Sequence, residues 1–356
     1  MKTVEQKTFK QLGVEWIGIE LNNTCNIKCT FCPISYKELQ RKSNERLMPF
    51  ALVRKIINEI IKDGTLDHVI LNDYGEPFLY PRFKDVLQLC KENGVRMRFA
   101  TNGTLFTHEN VDLIRKYEPE EVVISIQYFL RDNYKKVKGA LIDFDAWLKQ
   151  IADFLRVIID EKLNTKVQIA IACNYNNSLR NRIFGLRCGD ANLSYPDKTF
   201  FAKLDSFIKE FCEKRLHIPY YPEKTNKNIT KQTYNKYYQI DENISFELKD
   251  FIDSTNFYNF KESMIVYCSM PYLVINSQGK VIMCCADYIG GTALGNVNDK
   301  EIKNILLEKY VYFVNENNEK VNFKICRRCA GEITYRGLLL RQLWYLMKIA
   351  IKRYSG

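Results

Sequence analysis

Along residues 16–220, short apolar runs alternate with longer stretches in which apolar residues recur every three or four positions. The runs 16–21, 67–72, 95–100, 121–126, 166–172 and 216–220 read as strands. The stretches 49–63, 81–93, 107–117, 143–163 and 199–215 read as helices. In the first helix Leu52, Val53, Ile56, Ile57, Ile60 and Ile61 stand at helical spacing, and Asp63-Gly64 ends it. Strands alternating with helices predict parallel β/α units. Six of them in about 200 residues suit a partial barrel better than a closed eight-unit one. The expected fold class is therefore α/β, a partial (β/α)6 TIM-like barrel followed by a small C-terminal α+β domain.

The connections carry their own expectations. Residues 41–48 are polar and read as a mobile connection. Residues 174–194 are irregular and Gly/Asn-rich, with Arg180, Arg182, Arg187 and Cys188, and loops of that length inside a domain serve function or stay disordered. Residues 220–265 are rich in Asn, Lys and Tyr and read as a bridge. Beyond it, 272–276 and 280–283 flank Ser277-Gln278-Gly279, a hairpin signal, and a short helix follows over 299–307. The expected division is a barrel over 14–222, a bridge over 223–264, a small domain over 265–334 and a terminal helix over 335–356.

Composition narrows the chemistry. Hydrophobic content is 46 % and charged content 27 %, enough to build a core without staples. Twelve cysteines are thinly spread over 356 residues, and the polar, lysine-rich start is no secretion signal. Cysteines in that setting point to a reducing compartment and to metal or catalytic duty, hence a cytoplasmic location. With only His68, His108 and His217 present, metal chemistry should run through sulfur. The net charge of +11 is uneven: residues 324–356 hold eight basic side chains and one acidic. The rest is nearly balanced, which argues against a nucleic-acid-binding face.

In a parallel sheet, chemistry gathers at the carboxyl ends of the strands. Cys25, Cys29 and Cys32 stand in a loop directly after the first strand. Tyr74-Gly75-Glu76-Pro77 follows the second, Thr101-Asn102-Gly103-Thr104 the third, and Ser125-Ile126-Gln127 closes the fourth. Three thiolates on a tight loop can hold three corners of a 4Fe–4S cluster and leave the fourth iron open. Thr101 to Gly103 also reads as an ordinary tight turn, and Ser125 or Gln127 as a strand-end cap.

The cysteine loop, Cys25-x-x-x-Cys29-x-Phe31-Cys32, resembles the signature of the radical S-adenosylmethionine (radical SAM) enzymes, with Phe31 at the aromatic position. Gly75-Glu76-Pro77 resembles the glycine–glutamate motif that holds the methionine ammonium there, although Asp73-Tyr74 stands where many relatives carry a second glycine. Ser125 and Gln127 match the ribose-contacting positions. The resemblance implies a SAM-binding 4Fe–4S cluster on Cys25, Cys29 and Cys32, with S-adenosylmethionine at its open iron. It also implies an electron donor such as flavodoxin or ferredoxin. The implied reaction is reductive cleavage of S-adenosylmethionine and removal of a hydrogen atom from an unactivated carbon.

A second cysteine set is Cys268, Cys284-Cys285, Cys326 and Cys329. Cys268, Gly279 and Cys284 resemble the opening of a SPASM domain, and Cys326-x-x-Cys329 continues it in the shortened "twitch" manner. The implied ligands are Cys268, Cys284 or Cys285, Cys326 and Cys329 for one auxiliary 4Fe–4S cluster. A structural zinc site is the other reading of four such cysteines. Cys285 is then a spare thiol that ligates in place of Cys284, returns a hydrogen atom to a substrate radical, or only packs. Cys173, at the end of the fifth strand, and Cys188 are further hydrogen-donor candidates, whereas Cys90 sits on an apolar helix face and reads as core.

In the terminal helix, Arg341, Tyr345, Lys348 and Lys352 form one polar stripe opposite a wide apolar face. Such a basic helix can lie in a membrane interface or dock on its own barrel, so peripheral contact at the inner face of a membrane is expected alongside the docked reading. The expected outcomes are oxidation or dehydrogenation, cross-linking, or epimerisation, on a saccharide, a lipid-linked saccharide or a peptide. The 24 residues before Cys25 are few for a leader-peptide-recognition domain, which leans away from a peptide. The competing classes are an iron–sulfur electron-transfer or scaffold protein and a zinc-stabilised binding module, both without SAM chemistry.

Overall fold

A computed structural model describes residues 7–131, 134, 143–173, 198–221, 225–226, 237–250, 272–283, 285 and 287–313. Strands β1 (Trp16–Ile19), β2 (His68–Ile70), β3 (Arg96–Thr101), β4 (Glu121–Gln127) and β5 (Lys166–Cys173) alternate with helices α1 (Phe50–Asp63), α2 (Phe83–Glu92), α3 (His108–Tyr117) and α4 (Phe144–Asp160). Helix α5 (Lys198–Glu210) runs into a π-helical turn, Phe211–Leu216. The strands β6 (Thr225–Asn226), β7 (Tyr237–Gln239), β8 (Ile244–Asp250), β9 (Tyr272–Ile275), β10 (Lys280–Ile282) and β11 (Ala293–Asn296) follow, with α6 (Ile302–Phe313) last among the described elements.

One sheet holds all the strands in the order β11-β10-β9-β1-β2-β3-β4-β5-β8-β7-β6. Every pairing from β9 through β1 to β8 is parallel, and the two flanks are antiparallel. This is the α/β architecture of a partial TIM-like barrel. Alternation sets its two faces. On β4, Val122, Ile124 and Ile126 are buried in the main hydrophobic core, while Ser125 and Gln127 take the opposite face. Helix α1 buries Leu52, Val53, Ile56, Ile57 and Ile60, each worth roughly 1.5–3 kcal/mol of apolar transfer. Its end is set by Gly64, left-handed at φ 68°, whose N–H donates to the Ile60 carbonyl.

Two expectations need correction. The sixth parallel strand is β8, inside the stretch read as a bridge, and not residues 216–220. Leu216 ends the π turn and His217 turns left-handed at φ 57°, so the chain cannot extend there. The pairing face of β8 is built by Ile244, Phe246 and Leu248, with Phe246 meeting Phe207 and Phe211 edge-on. Residues 41–48 are not a loose connection but a strap beside the exit of β1. There the Met48 N–H donates to the Leu21 carbonyl (2.9 Å) and the Asn23 N–H to the Arg46 carbonyl (2.6 Å). The C-terminal hairpin also continues the barrel sheet, since β9 pairs in parallel with β1 over four residues. Gly18 permits that approach, because a Cβ there would lie 2.5 Å from the Tyr272 hydroxyl.

Candidate active site

The carboxyl ends of β1 to β4 converge on one cavity of about 370 Å³. Cys25, Cys29 and Cys32 line it together with Gly75, Glu76, Ser125 and Gln127. The cysteine loop is tied down from two sides. From the β3 turn, Asn102 Nδ2 donates to Asn26 Oδ1 (2.9 Å) and reaches Cys25 Sγ (3.5 Å), while Asn26 Nδ2 donates to Thr104 Oγ1 (2.8 Å). The fully buried Trp147 of α4 donates its indole N–H to the Asn102 carbonyl at 3.1 Å. Below the thiols, Phe31, Tyr128 and Ala172 form a small apolar cluster on which Cys29 and Cys32 pack.

Burial, followed by the neighbouring Cys29, Cys25 and Asp73 charges, pushes the Cys32 thiol far above its ordinary range. Iron cations remove that penalty, so the donor set fits a cluster held by three thiolates. Among the described residues no three Cys, His, Asp or Glu side chains converge tightly enough to chelate a single metal ion.

Glu76 is almost wholly buried at 1 % exposure. Its carboxylate accepts from Thr101 Oγ1 (2.8 Å) and from the Asn102 N–H (2.8 Å). The backbone of the same residue is pinned to the cysteine-loop root. Its N–H donates to the Thr24 carbonyl (2.8 Å), and its carbonyl accepts from Asn22 Nδ2 (2.8 Å). Gly75 holds φ at 95°, and an added Cβ would stand 2.4 Å from the Asn22 carbonyl oxygen. Only glycine allows the two turns to touch. Thr101-Asn102-Gly103 is thus both a tight turn and the support of Glu76 and Cys25.

Gln127 closes β4 at φ 61°, where the ladder with β5 shifts register. Its Oε1 is buried with no hydrogen-bond partner among the described residues. A buried orphan acceptor facing a cavity is a place for a ligand donor such as a hydroxyl.

Cys285 lines this same cavity, although it comes from the segment after β10. It was among three reactive-thiol candidates. Cys173 ends β5 with its side chain outside the described set, and Cys188 lies outside the described residues. So do Cys268, Cys284, Cys326 and Cys329, and with them the terminal helix. Cys90 is core, as expected, with burial raising its thiol to about 12. No helix among the described residues is long and apolar enough to cross a membrane.

Sequence reasoning missed the pair that braces this end. Glu20, fully buried, and Arg41 form an ion pair. Glu20 also accepts from Asn23 Nδ2 (2.7 Å) and from the Ser277 N–H (2.8 Å). Arg41 donates further to Ser277 Oγ (2.8 Å) and to the Tyr288 carbonyl (3.0 Å). The one available signal was Glu20 itself, a charge at an inward position of an apolar strand.

Residues 19–178 match the radical SAM superfamily and residues 268–330 an iron–sulfur cluster-binding domain, SPASM. The two matches together cover well over half of the chain. The tungsten-containing aldehyde ferredoxin oxidoreductase cofactor-modifying protein of Pyrococcus furiosus is 29% identical over 119 residues, 33% of this chain and 31% of that protein. The antilisterial bacteriocin subtilosin biosynthesis protein AlbA of Bacillus subtilis is 26% identical over 147 residues, 39% of this chain and 31% of that protein. Across the curated relatives it matches, the chain spans between 31% and 50% of their length. Among solved structures, anSMEcpe with bound AdoMet superposes with TM-score 0.51 at 14% identity, covering 95% of this chain and 96% of that one. SuiB of Streptococcus suis superposes with TM-score 0.51 at 14% identity, covering 84% and 67%. At these identities the likeness is one of fold.

Proposed function

We propose that this chain, which belongs to the radical SAM superfamily and carries a C-terminal iron–sulfur cluster-binding domain, removes a hydrogen atom from an unactivated carbon and returns one from Cys285. Its cofactors are a 4Fe–4S cluster, S-adenosylmethionine and auxiliary iron–sulfur chemistry in the C-terminal domain. When bound, cluster and S-adenosylmethionine supply a reductive cleavage whose radical product takes hydrogen from carbon.

The residues divide that work. Cys25, Cys29 and Cys32 are the cluster ligands, with Phe31 as the apolar cushion beneath them. Gly75 leaves backbone oxygen accessible to the methionine ammonium, and the Glu76 carboxylate, held by Thr101 and Asn102, supplies the opposite charge. Gln127 Oε1 accepts from a ribose hydroxyl, with Ser125 beside it. Cys268, Cys284, Cys326 and Cys329 serve the auxiliary cluster, and Cys285 acts on the substrate from the cavity wall.

The observation that carries the reading is the presence of Cys285 in the cavity that holds the three loop thiols. The substrate carbon, having lost its hydrogen atom, takes one from the Cys285 S–H, whose sulfur becomes a thiyl radical. That thiyl regains one electron and one proton from a reduced iron–sulfur or flavin donor and solvent. The net result is epimerisation at one carbon. A thiol placed only to ligate or pack leaves oxidation or cross-linking instead.

A cavity at the small end of ligand sites admits a cofactor and the reacting group of a substrate. The name of the relative AlbA favours a peptide, and a saccharide is the competing substrate. The test is turnover in D2O by anaerobically reconstituted protein with peptide and saccharide candidates. Deuterium at the reacting carbon in the parent and its loss in Cys285→Ala, with 5′-deoxyadenosine still formed, supports the proposal. Deuterium incorporation that survives in Cys285→Ala refutes it.

A further inference from the structure

Several contacts from distant parts of the chain meet on one buried side chain, Tyr288, which is 2 % exposed. The Arg41 guanidinium lies 4.9 Å from its ring centroid, and Arg41 Nη2 donates to its carbonyl. Its hydroxyl donates to Asn23 Oδ1 at 2.8 Å. The Tyr74 ring meets it edge-on, with centroids 5.0 Å apart. Tyr74 and Cys285 both line the cavity, on the glycine–glutamate turn and on the segment three residues before Tyr288.

This arrangement is more than packing. A buried ion pair such as Glu20–Arg41 is weak evidence of added stability, because desolvation offsets the attraction. A guanidinium, however, offers donors in a fixed fork, and Arg41 uses them on three different segments: Glu20 at the end of β1, Ser277 in the hairpin turn, and Tyr288. Tyr74 supplies the ring that the latch presses upon.

We propose that Arg41 and Tyr288 are positioning residues, a latch that seats the Cys285 segment against the Tyr74-Gly75-Glu76 turn and so fixes one wall of the cavity. Its effect on turnover rests on the function proposed above; its geometry does not.

The test separates the two. In the cluster-free full-length chain, the alkylation rate of Cys285 is mapped by mass spectrometry, with the fully buried Cys90 as the reference for global opening. Arg41→Met alone would strand a buried carboxylate, so Glu20→Gln/Arg41→Met is the informative variant, as a neutral pair of similar shape. The latch predicts alkylation of Cys285 accelerated about fivefold or more with Cys90 unchanged, as for a local opening, and an intermediate rate for Arg41→Lys. A Cys285 rate within about twofold of the parent overturns it. In the reconstituted enzyme, the double variant should form 5′-deoxyadenosine near the parental rate but yield less product per nucleoside. An unchanged ratio overturns the positioning role. A parent that forms no nucleoside defeats the proposed function, while the alkylation result still decides the latch.

Discussion

The two ends of the barrel strands are built on opposite principles. At the amino ends, charges meet charges: Arg96 pairs with Asp67 (2.8 Å) and Glu120 (2.7 Å), and Arg98 pairs with Glu121 while lying over the Trp16 ring at 4.8 Å. At the carboxyl ends stand thiols, amides and hydroxyls, a glycine that tolerates no side chain, and a glutamine acceptor with no hydrogen-bond partner among the described residues. The first end is tied by ion pairs between its own side chains, whereas the second opens on a cavity. In parallel β/α folds the carboxyl end carries chemistry and the amino end carries stability. Substitutions at the two ends should therefore separate activity from folding.

The largest effect is expected from Cys29→Ala, which should bring 5′-deoxyadenosine formation to background while the melting temperature stays close to that of the parent. Gly75→Ala should come next. With φ at 95° and a Cβ forced 2.4 Å from the Asn22 carbonyl, it should destabilise by about 1–3 kcal/mol and weaken S-adenosylmethionine binding, read by calorimetry and melting. Gln127→Ala sharpens the contrast. It should raise the KM for S-adenosylmethionine by about five- to tenfold, one lost hydrogen bond, without lowering stability, since it removes a buried orphan.

At the other end the effects should appear in stability alone. Burial by itself would raise the Asp63 carboxyl, but hydrogen bonds from Thr65, Lys303 and the Phe9 N–H outweigh it and hold the carboxyl below its usual range. A depressed carboxylate contributes stability above its unfolded value of about 3.9 and loses it as pH falls through the lower folded value. Melting temperatures below pH 4 should therefore fall more steeply in the parent than in Asp63→Asn. The smallest effect is expected of Arg96→Ala, a half-exposed pair worth at most about 1 kcal/mol, with nucleoside formation unchanged.

How much of this was legible follows the same division. The cysteine loop, Gly75-Glu76 and Gln127 were readable because turn chemistry sits at fixed places after apolar strands, and the structure brings all of them to one cavity. The strand β8 was hidden. Ile244, Phe246 and Leu248 do alternate with Ser245, Glu247 and Lys249, but they follow a polar stretch rich in Asn, Lys and Tyr that masks a short period-two signal. Arg41 was hidden for a different reason. Nothing local marks an arginine as buried when its partners, Ser277 and Tyr288, lie 236 and 247 residues away. The π turn at Phe211–Leu216 has no sequence signal either, since its apolar spacing continues that of α5.

The central claim is that three loop thiols and Cys285 surround one S-adenosylmethionine. Its most direct test is nucleoside and deuterium analysis of reconstituted parent, Cys29→Ala and Cys285→Ala proteins, run anaerobically in D2O with reductant and substrate. The account predicts 5′-deoxyadenosine from the parent and Cys285→Ala but not from Cys29→Ala, with deuterated product from the parent alone. Nucleoside formation by Cys29→Ala, or deuterated product from Cys285→Ala, would contradict it.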